Sequence, residues 1–399
     1  MYIRISALLV LALALAVPMA QAGRKDKGPK NQTPPTANPA VSEDKAPEDA
    51  GPKAPKLFPD GLPVAHQQLP EGVASLSAQS CNGCHYEIHD TWAQSGHRSA
   101  RTGEPFATAL AATGNSPLCT SCHTPLLNQQ QQLVREYTGG PLGEALTDPN
   151  ESWDATLSAE GVTCAACHVR DEVVIGSRPA SGAPHPVAVS EELGESSFCA
   201  SCHQLTWEGA EQPLYNTYGE WAESNYAAAG VQCQDCHMPP RSGLVTAGSF
   251  ASHRDHGFDA AQGRALTLLL DVPPSGVVRG EALSGTLTVM NTGAGHAFPT
   301  GSPFSSAVLQ IAVVDAEGKD SGEPWESVLE RPTSMEPPYE SMGEDTTLKP
   351  GETRVLPFTL TPSQKSEGGR GAIEVRVLRQ SPTGERTVSQ VQRIPLAVN

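Results

Sequence analysis

Hydrophobic and polar positions alternate most plainly in the last third of the chain. Residues 265–272, 285–290, 307–314, 354–360, 373–378 and 388–394 are rich in Val, Leu, Ile and Thr, and Gly, Pro and Asp separate them. A period of two with β-branched residues is the signature of strands. Six or more short strands predict an all-β domain over residues 263–399, of immunoglobulin-like sandwich type. Within it, residues 323–350 are rich in Pro, Glu and Ser and read as a long loop.

Earlier in the chain the periodicity is helical and sparse. Ile88 and Trp92 are four apart and share a face, which predicts a helix running from Cys81 through Trp92 towards Ser99. Tyr218, Trp221 and Ala222 form one stripe of a second helix over residues 217–229. Residues 171–194 hold Pro179, Pro184, Pro186 and several glycines and read as a loop. The whole of residues 66–262 is therefore expected to be mainly α-helical and irregular. Aromatics are only 5% of the chain, so side chains alone would give this region a thin core.

The N-terminus carries two further patterns. Arg4 precedes an apolar run over residues 5–17, and Ala20, Gln21 and Ala22 fit a cleavage site. This is a secretory signal peptide over residues 1–22, too short for a comfortable membrane span. No later apolar stretch approaches spanning length, so no membrane span is expected in the mature chain. Residues 23–65 follow as a tether: residues 23–60 contain eight prolines, seven basic and six acidic residues. Such a composition buries too little apolar surface to offset its ordering entropy and is expected to be disordered.

All ten cysteines fall in five copies of one motif. These are Cys81-x-x-Cys84-His85, Cys119-x-x-Cys122-His123, Cys164-x-x-Cys167-His168, Cys199-x-x-Cys202-His203 and Cys233-x-x-Cys236-His237. Cys-x-x-Cys-His is the attachment signature of c-type haem. The two thiols form thioethers to the porphyrin, and the His is placed to ligate the iron from one side. Zinc pairs need no His after the second Cys, and disulfide frameworks do not impose five identical spacings. Five covalently attached haem c groups are expected, supplying the core that the side chains lack. Their attachment outside the cytoplasm agrees with the signal peptide, and the mature protein is expected in the periplasm or otherwise exported.

The net charge is −17. Residues 1–22 and 23–60 contribute +1 each, which leaves −19 on residues 61–399. That balance argues against a nucleic-acid partner, whose binding needs a basic surface. It permits steering towards basic-surfaced redox donor and acceptor proteins.

The run Cys81-x-x-Cys84-His85-x-x-Ile88-x-x-x-Trp92-x-x-Ser95-x-His97 resembles the opening of multihaem cytochromes c. Similar stretches surround Gly161, Val162 and Cys164, Phe198 to Gln204, and Cys233 to Pro239. The relatives include the tetrahaem cytochrome of ammonia oxidisers and the octahaem hydroxylamine and tetrathionate enzymes. The resemblance implies a chain of haems and electron transfer. Pentahaem nitrite reductases are also similar, but they carry a Cys-x-x-Cys-Lys haem that this sequence lacks.

Five haems with two axial histidines each need five histidines beyond the motifs, and seven remain among the twelve. His97 matches the Ser-x-His position of the resemblance. His296 sits in Gly295-His296-Ala297-Phe298-Pro299-Thr300-Gly301, a string similar to one in β-rich extensions of multihaem cytochromes, where Gly and Pro stiffen a tight turn. His185 lies in a loop able to bend over a haem. His253 and His256 share a short stretch in which relatives often place a ligand. His89, one turn beyond His85, is expected to pack, and His66 to be solvated. The expected function is electron carriage through mostly bis-histidine haems. The alternatives are an oxidoreductase acting on a small nitrogen or sulfur compound at a five-coordinate haem, or a docking module of a larger electron-transfer assembly.

Overall fold

The computed structural model describes residues 55–399, apart from 141, 181, 259–264, 274–275 and 365–368. The expected signal peptide and most of the expected tether lie outside the described residues.

Ten short α-helices occur among the described residues. They are Ala78–Asn82 (α1), Tyr86–Ala93 (α2), Glu104–Ala112 (α3), Pro117–His123 (α4), Ala155–Ala159 (α5), Cys164–His168 (α6), Ser196–His203 (α7), Thr217–Ala222 (α8), Asn225–Ala228 (α9) and Cys233–His237 (α10). Two of the expected helices are broken. The first stops at Asn82 and restarts after His85. The second is interrupted at Ser224, whose hydroxyl accepts from the backbone amides of Tyr226 and Ala227 and so caps α9. A side chain that satisfies the orphan amides of a new helix makes a fresh start as stable as a continuation.

Strands are not confined to the C-terminal third. Gln132–Thr138 (β1) and Glu144–Pro149 (β2) form one hairpin. Val169–Arg170 (β3), Val173–Gly176 (β4) and Val187–Val189 (β5) form a three-stranded sheet within the segment expected to be a loop. Pro240–Thr246 (β6) and Ser249–Arg254 (β7) form a second hairpin. The expectation of a mainly α-helical, irregular haem region is therefore corrected: the described residues form five sheets, and no helix among them exceeds nine residues. The physical reason is that the motif helices end at their histidines, and strands then supply the backbone groups that hold those side chains.

The remaining strands are Leu266–Asp271 (β8), Leu283–Asn291 (β9), Ser306–Val314 (β10), Trp325–Leu329 (β11), Thr353–Leu360 (β12), Gly369–Gln380 (β13) and Arg386–Val398 (β14). They form a three-stranded sheet in the order β12-β9-β8 and a four-stranded sheet in the order β11-β10-β13-β14. The two sheets share one apolar core, with Leu287 and Val289 from the first against Leu309, Ile311, Ile373 and Val375 from the second. Each of the six expected runs holds a strand. β11 arises inside the expected loop, where Trp325 to Leu329 pairs antiparallel with β10.

Residues 55–65, expected at the end of the tether, are anchored by the buried Leu57 and Val64. Leu57 is fully buried, its carbonyl accepts from the Arg170 guanidinium, and Phe58 meets Phe198 at 5.2 Å between ring centres. Among the described residues no helix is long and apolar enough to cross a membrane.

The haem-motif region and the sheet region meet at α8 and α9. The Glu220 carboxylate accepts from the backbone amide of Ala297 at 3.1 Å and from the Thr300 hydroxyl at 2.6 Å. The Tyr226 hydroxyl donates to the Thr292 carbonyl at 2.8 Å. From the other side, the Arg331 guanidinium donates to the carbonyls of Pro213 and Leu214.

Candidate functional site

Each motif sits at a helix end. α4, α6, α7 and α10 terminate on His123, His168, His203 and His237. The two cysteines of each motif are three apart on the last turn, so their thiols leave one face together. The first motif departs from this: Cys81 lies in α1, and His85 is the cap that opens α2.

The imidazoles are anchored through one nitrogen. Nδ1 of His85 lies 2.7 Å from the Val245 carbonyl, that of His123 2.7 Å from Ala100, and that of His168 2.7 Å from Ile175. His256 makes the same bond to Arg254 and His296 to Ala297, each at 2.9 Å. A carbonyl can only accept, so Nδ1 carries the proton and Nε2 keeps a free lone pair. Val245 belongs to β6 and Ile175 to β4, which gives the strands of this region their role.

Burial favours the neutral form of six of the chain's imidazoles. It lowers the His97 pKa to about 4, helped by neighbouring imidazoles, of which His203 is first. It does the same for His256, also to about 4, with His168 the next cause. Burial is likewise the main cause lowering His123, His168, His203 and His237. Neutral imidazole is the form that binds a metal.

Three pairs of rings face one another across similar gaps. The centres are 6.2 Å apart for His97 and His203, 6.2 Å for His168 and His256, and 6.1 Å for His237 and His296. Each pair joins one motif histidine to one histidine from elsewhere. Metal–imidazole bonds run about 2 Å with the nitrogen about 1 Å from its ring centre, so two rings on opposite sides of one ion stand about 6 Å apart. The residues present thus fit iron held between two histidines. Gly161, at φ +66°, helps place His97: a Cβ there would lie 2.6 Å from the His97 carbonyl, which accepts from the Val162 amide. Among the described residues no group of three or more His, Cys, Asp or Glu converges as a metal cage.

The other expected ligands are placed differently. His185 lies between β4 and β5, with its backbone against Gly72, and its Nδ1 is buried without a hydrogen-bond partner. His253 is on β7, where its Cε1 and the Glu87 carboxylate both crowd Gly243. Neither makes a ring contact with a motif histidine. His89 packs on Trp92 at 5.4 Å, and the exposed His66 has Nε2 3.2 Å from Asn150 Oδ1.

Thiols of different motifs also meet. Cys81 and Cys164, Cys122 and Cys202, and Cys199 and Cys233 perturb one another, and in each pair one thiol is pushed down and the other up. Cys167 lies within electrostatic range of Cys199 and Cys202. Buried polar side chains set these neighbours. Glu160 accepts from the Ser77 hydroxyl, from the amide of Ala78 at 2.9 Å and from the Thr163 hydroxyl at 2.7 Å, tying α1 to the start of α6. Ser196 accepts from the Cys233 amide at 2.9 Å while Gln232 accepts from the Ser196 amide at 2.8 Å, tying α7 to α10. Sequence reasoning missed Glu160, Ser196 and Gln232, because nothing in motif spacing marks them.

No protein-family model matches the sequence, and no curated protein matches it. Among solved structures, the CARDB domain of PF1109 from Pyrococcus furiosus, in complex with di-metal ions, is 17% identical, covers 35% of this chain and 92% of its own, and has a TM-score of 0.20. The C-terminal domain of wzt is 14% identical, covers 35% of this chain and 75% of its own, and has a TM-score of 0.22. Over 82% of its length, and 100% of the other's, this chain is similar in fold to a penta-heme cytochrome c552 from Thermochromatium tepidum, at 18% identity and a TM-score of 0.50.

Proposed function

We infer that the chain is an exported pentahaem c-type cytochrome that carries electrons. The observation that carries the reading is the three facing imidazole pairs, each combining a motif histidine with a partner. In this reading Cys164 and Cys167 hold a haem between His168 and His256. Cys199 and Cys202 hold one between His203 and His97, and Cys233 and Cys236 one between His237 and His296. Cys81, Cys84 and His85 serve the first haem, and Cys119, Cys122 and His123 the second. Iron held by two histidines has no vacant position and shuttles single electrons at a lower potential than iron with a methionine ligand.

The thiol neighbours support an order for the attachment sites. The first lies beside the third, the third beside the fourth, and the fourth beside both the second and the fifth. Electrons would pass along first, third, fourth and fifth, with the second on a branch. The acidic balance of residues 61–399 supports basic-surfaced donor and acceptor proteins. Export rests on the pattern of residues 1–22. Low-temperature electron paramagnetic resonance of the oxidised protein tests the reading: at least three low-spin ferric haems per chain are expected, and a spectrum dominated by high-spin iron would sink it.

A further inference from the structure

Two side chains that carry a full charge are buried among the described residues, and both belong to the third motif. They are Glu160 and Arg170, the latter only 2% exposed. They stand at opposite ends of α6. Glu160 accepts from the hydroxyl of Thr163, the residue that opens the helix. Arg170 follows His168 by two residues and donates back into the motif. Its Nη1 reaches the carbonyls of Ala165 at 3.2 Å and Val169 at 2.6 Å, and its Nη2 that of Ala166 at 2.6 Å. Its Nε donates to the Leu57 carbonyl. Ala165 and Ala166 are the two residues between Cys164 and Cys167, so the guanidinium is bonded directly to the attachment loop.

That charge has no counter-ion. Among the described residues no ion pair joins Arg170 to a carboxylate. The acidic residues closest to it through its contacts are Asp171, next in the chain, and Glu192, which accepts from the Leu57 amide at 3.3 Å. Both are exposed. Over the guanidinium lies the Phe58 ring, its centre 5.1 Å from Cζ. Phe58 also packs on Phe198, and this covers the group further.

Helix capping accounts for the bonds but not for the charge. The orphan carbonyls at a helix end are satisfied equally by neutral donors. A buried cation without an anion costs free energy that a neutral amide would not. Arginine also keeps its proton throughout the working range of a protein.

Resting on the pentahaem reading above, we propose that Arg170 tunes the third site: its uncompensated charge raises the reduction potential of the haem held by Cys164 and Cys167. Reduction adds one negative charge to the iron, and a cation fixed on the attachment loop favours that state. Buried surroundings keep the effect large, and salt screens it little. Glu160 has the opposite sign, but it lies four residues before Cys164 and is shared with α1, whereas Arg170 lies two residues from the ligand His168. In the order of sites the third stands between the first and the fourth. Arg170 therefore makes the third site a resting place for an electron on its way through.

The test uses the full chain with its haems attached, counted first by mass, and a redox titration followed by visible absorption and electron paramagnetic resonance. Arg170→Gln should lower one midpoint of five, changing the ratio of reduced to oxidised haem at a fixed potential by about tenfold. Arg170→Lys keeps the charge, loses the planar fork and should leave that midpoint near its original value. Phe58→Glu supplies the missing anion with Arg170 in place and should lower the same midpoint, while Phe58→Gln should not. This second pair carries the test where Arg170→Gln fails to fold. The midpoint that moves should belong to the haem that turns high-spin in His256→Ala. Equal shifts in Arg170→Lys and Arg170→Gln, an unmoved midpoint in Phe58→Glu, or a shift at another haem overturn the inference and leave the electron-carrier reading standing. A mass showing fewer than five haems, or a His256→Ala chain with every haem still low-spin, counts against the pentahaem reading itself.

Discussion

The ring of His296, in a turn between β9 and β10, faces the ring of His237 at the end of α10 with centres 6.1 Å apart. The contact joins the cysteine-free sheet region to the last haem motif. It does not act alone, since Glu220 holds the same turn through the Ala297 amide and the Thr300 hydroxyl. Two substitutions therefore separate ligation from docking. His296→Ala should convert one low-spin haem in five to high-spin while the regions stay largely joined. Glu220→Ala should speed limited proteolysis of the sheet region and leave the spin states alone. An unchanged low-spin spectrum in His296→Ala would show that the histidine only shapes the turn.

Much of this site could be read from sequence, but not how it is held together. Motif histidines are local: the chain itself places them one residue after the thiols. Ser95 and the Gly295–Gly301 string mark His97 and His296 as candidates, while the His253–Phe258 stretch does not distinguish His253 from His256. Facing pairs are long-range, and no spacing specifies that His203 meets His97 while His123 meets Phe106. The six C-terminal strands were legible because alternation there is sustained. β3 to β5 were not, because they are two to four residues long, with Pro179, Pro184 and Pro186 between β4 and β5. Their pairing follows from the need to satisfy the backbone around His168, a tertiary demand that overrides local propensity.

Glu160 is buried and serves two motifs at once. Its carboxylate receives the Ser77 hydroxyl and the Ala78 amide at the start of α1, and the Thr163 hydroxyl at the start of α6. Removing it strands three donors, of which those of Ala78 and Thr163 are buried and cost about 1–3 kcal/mol each when left unsatisfied. Glu160→Ala should destabilise the folded protein by about 3 kcal/mol or more, measured by denaturant unfolding. It should also lower the yield of fully loaded protein, because Cys81 and Cys164 would no longer be held side by side. Unaltered stability in this variant would mean that water replaces the carboxylate.

The sheet region offers a test free of haem chemistry. Leu309 is fully buried in β10, within the core shared by the two sheets. Leu309→Ala removes apolar contacts and leaves a cavity, at a cost of about 2–5 kcal/mol. The loss should appear in denaturant unfolding while the visible spectrum of the native protein stays the same. A shifted haem spectrum in the folded variant would show that the sheet core and the haem region respond as one.

All ten cysteines lie in Cys-x-x-Cys-His motifs, and none is in a disulfide among the described residues. Thiols of different motifs meet in pairs, so Cys81 lies beside Cys164 and Cys199 beside Cys233. Thioether formation consumes each thiol and leaves none for pairing across motifs. Protein exported from a host with haem-attachment machinery should therefore weigh its mature chain plus five haems, and an alkylating reagent should find no thiol after denaturation. The same chain made without that machinery should show reactive thiols or disulfides instead. A loaded protein with four haems and two alkylated cysteines would remove one motif from the count, and peptide mapping of the alkylated pair would say which.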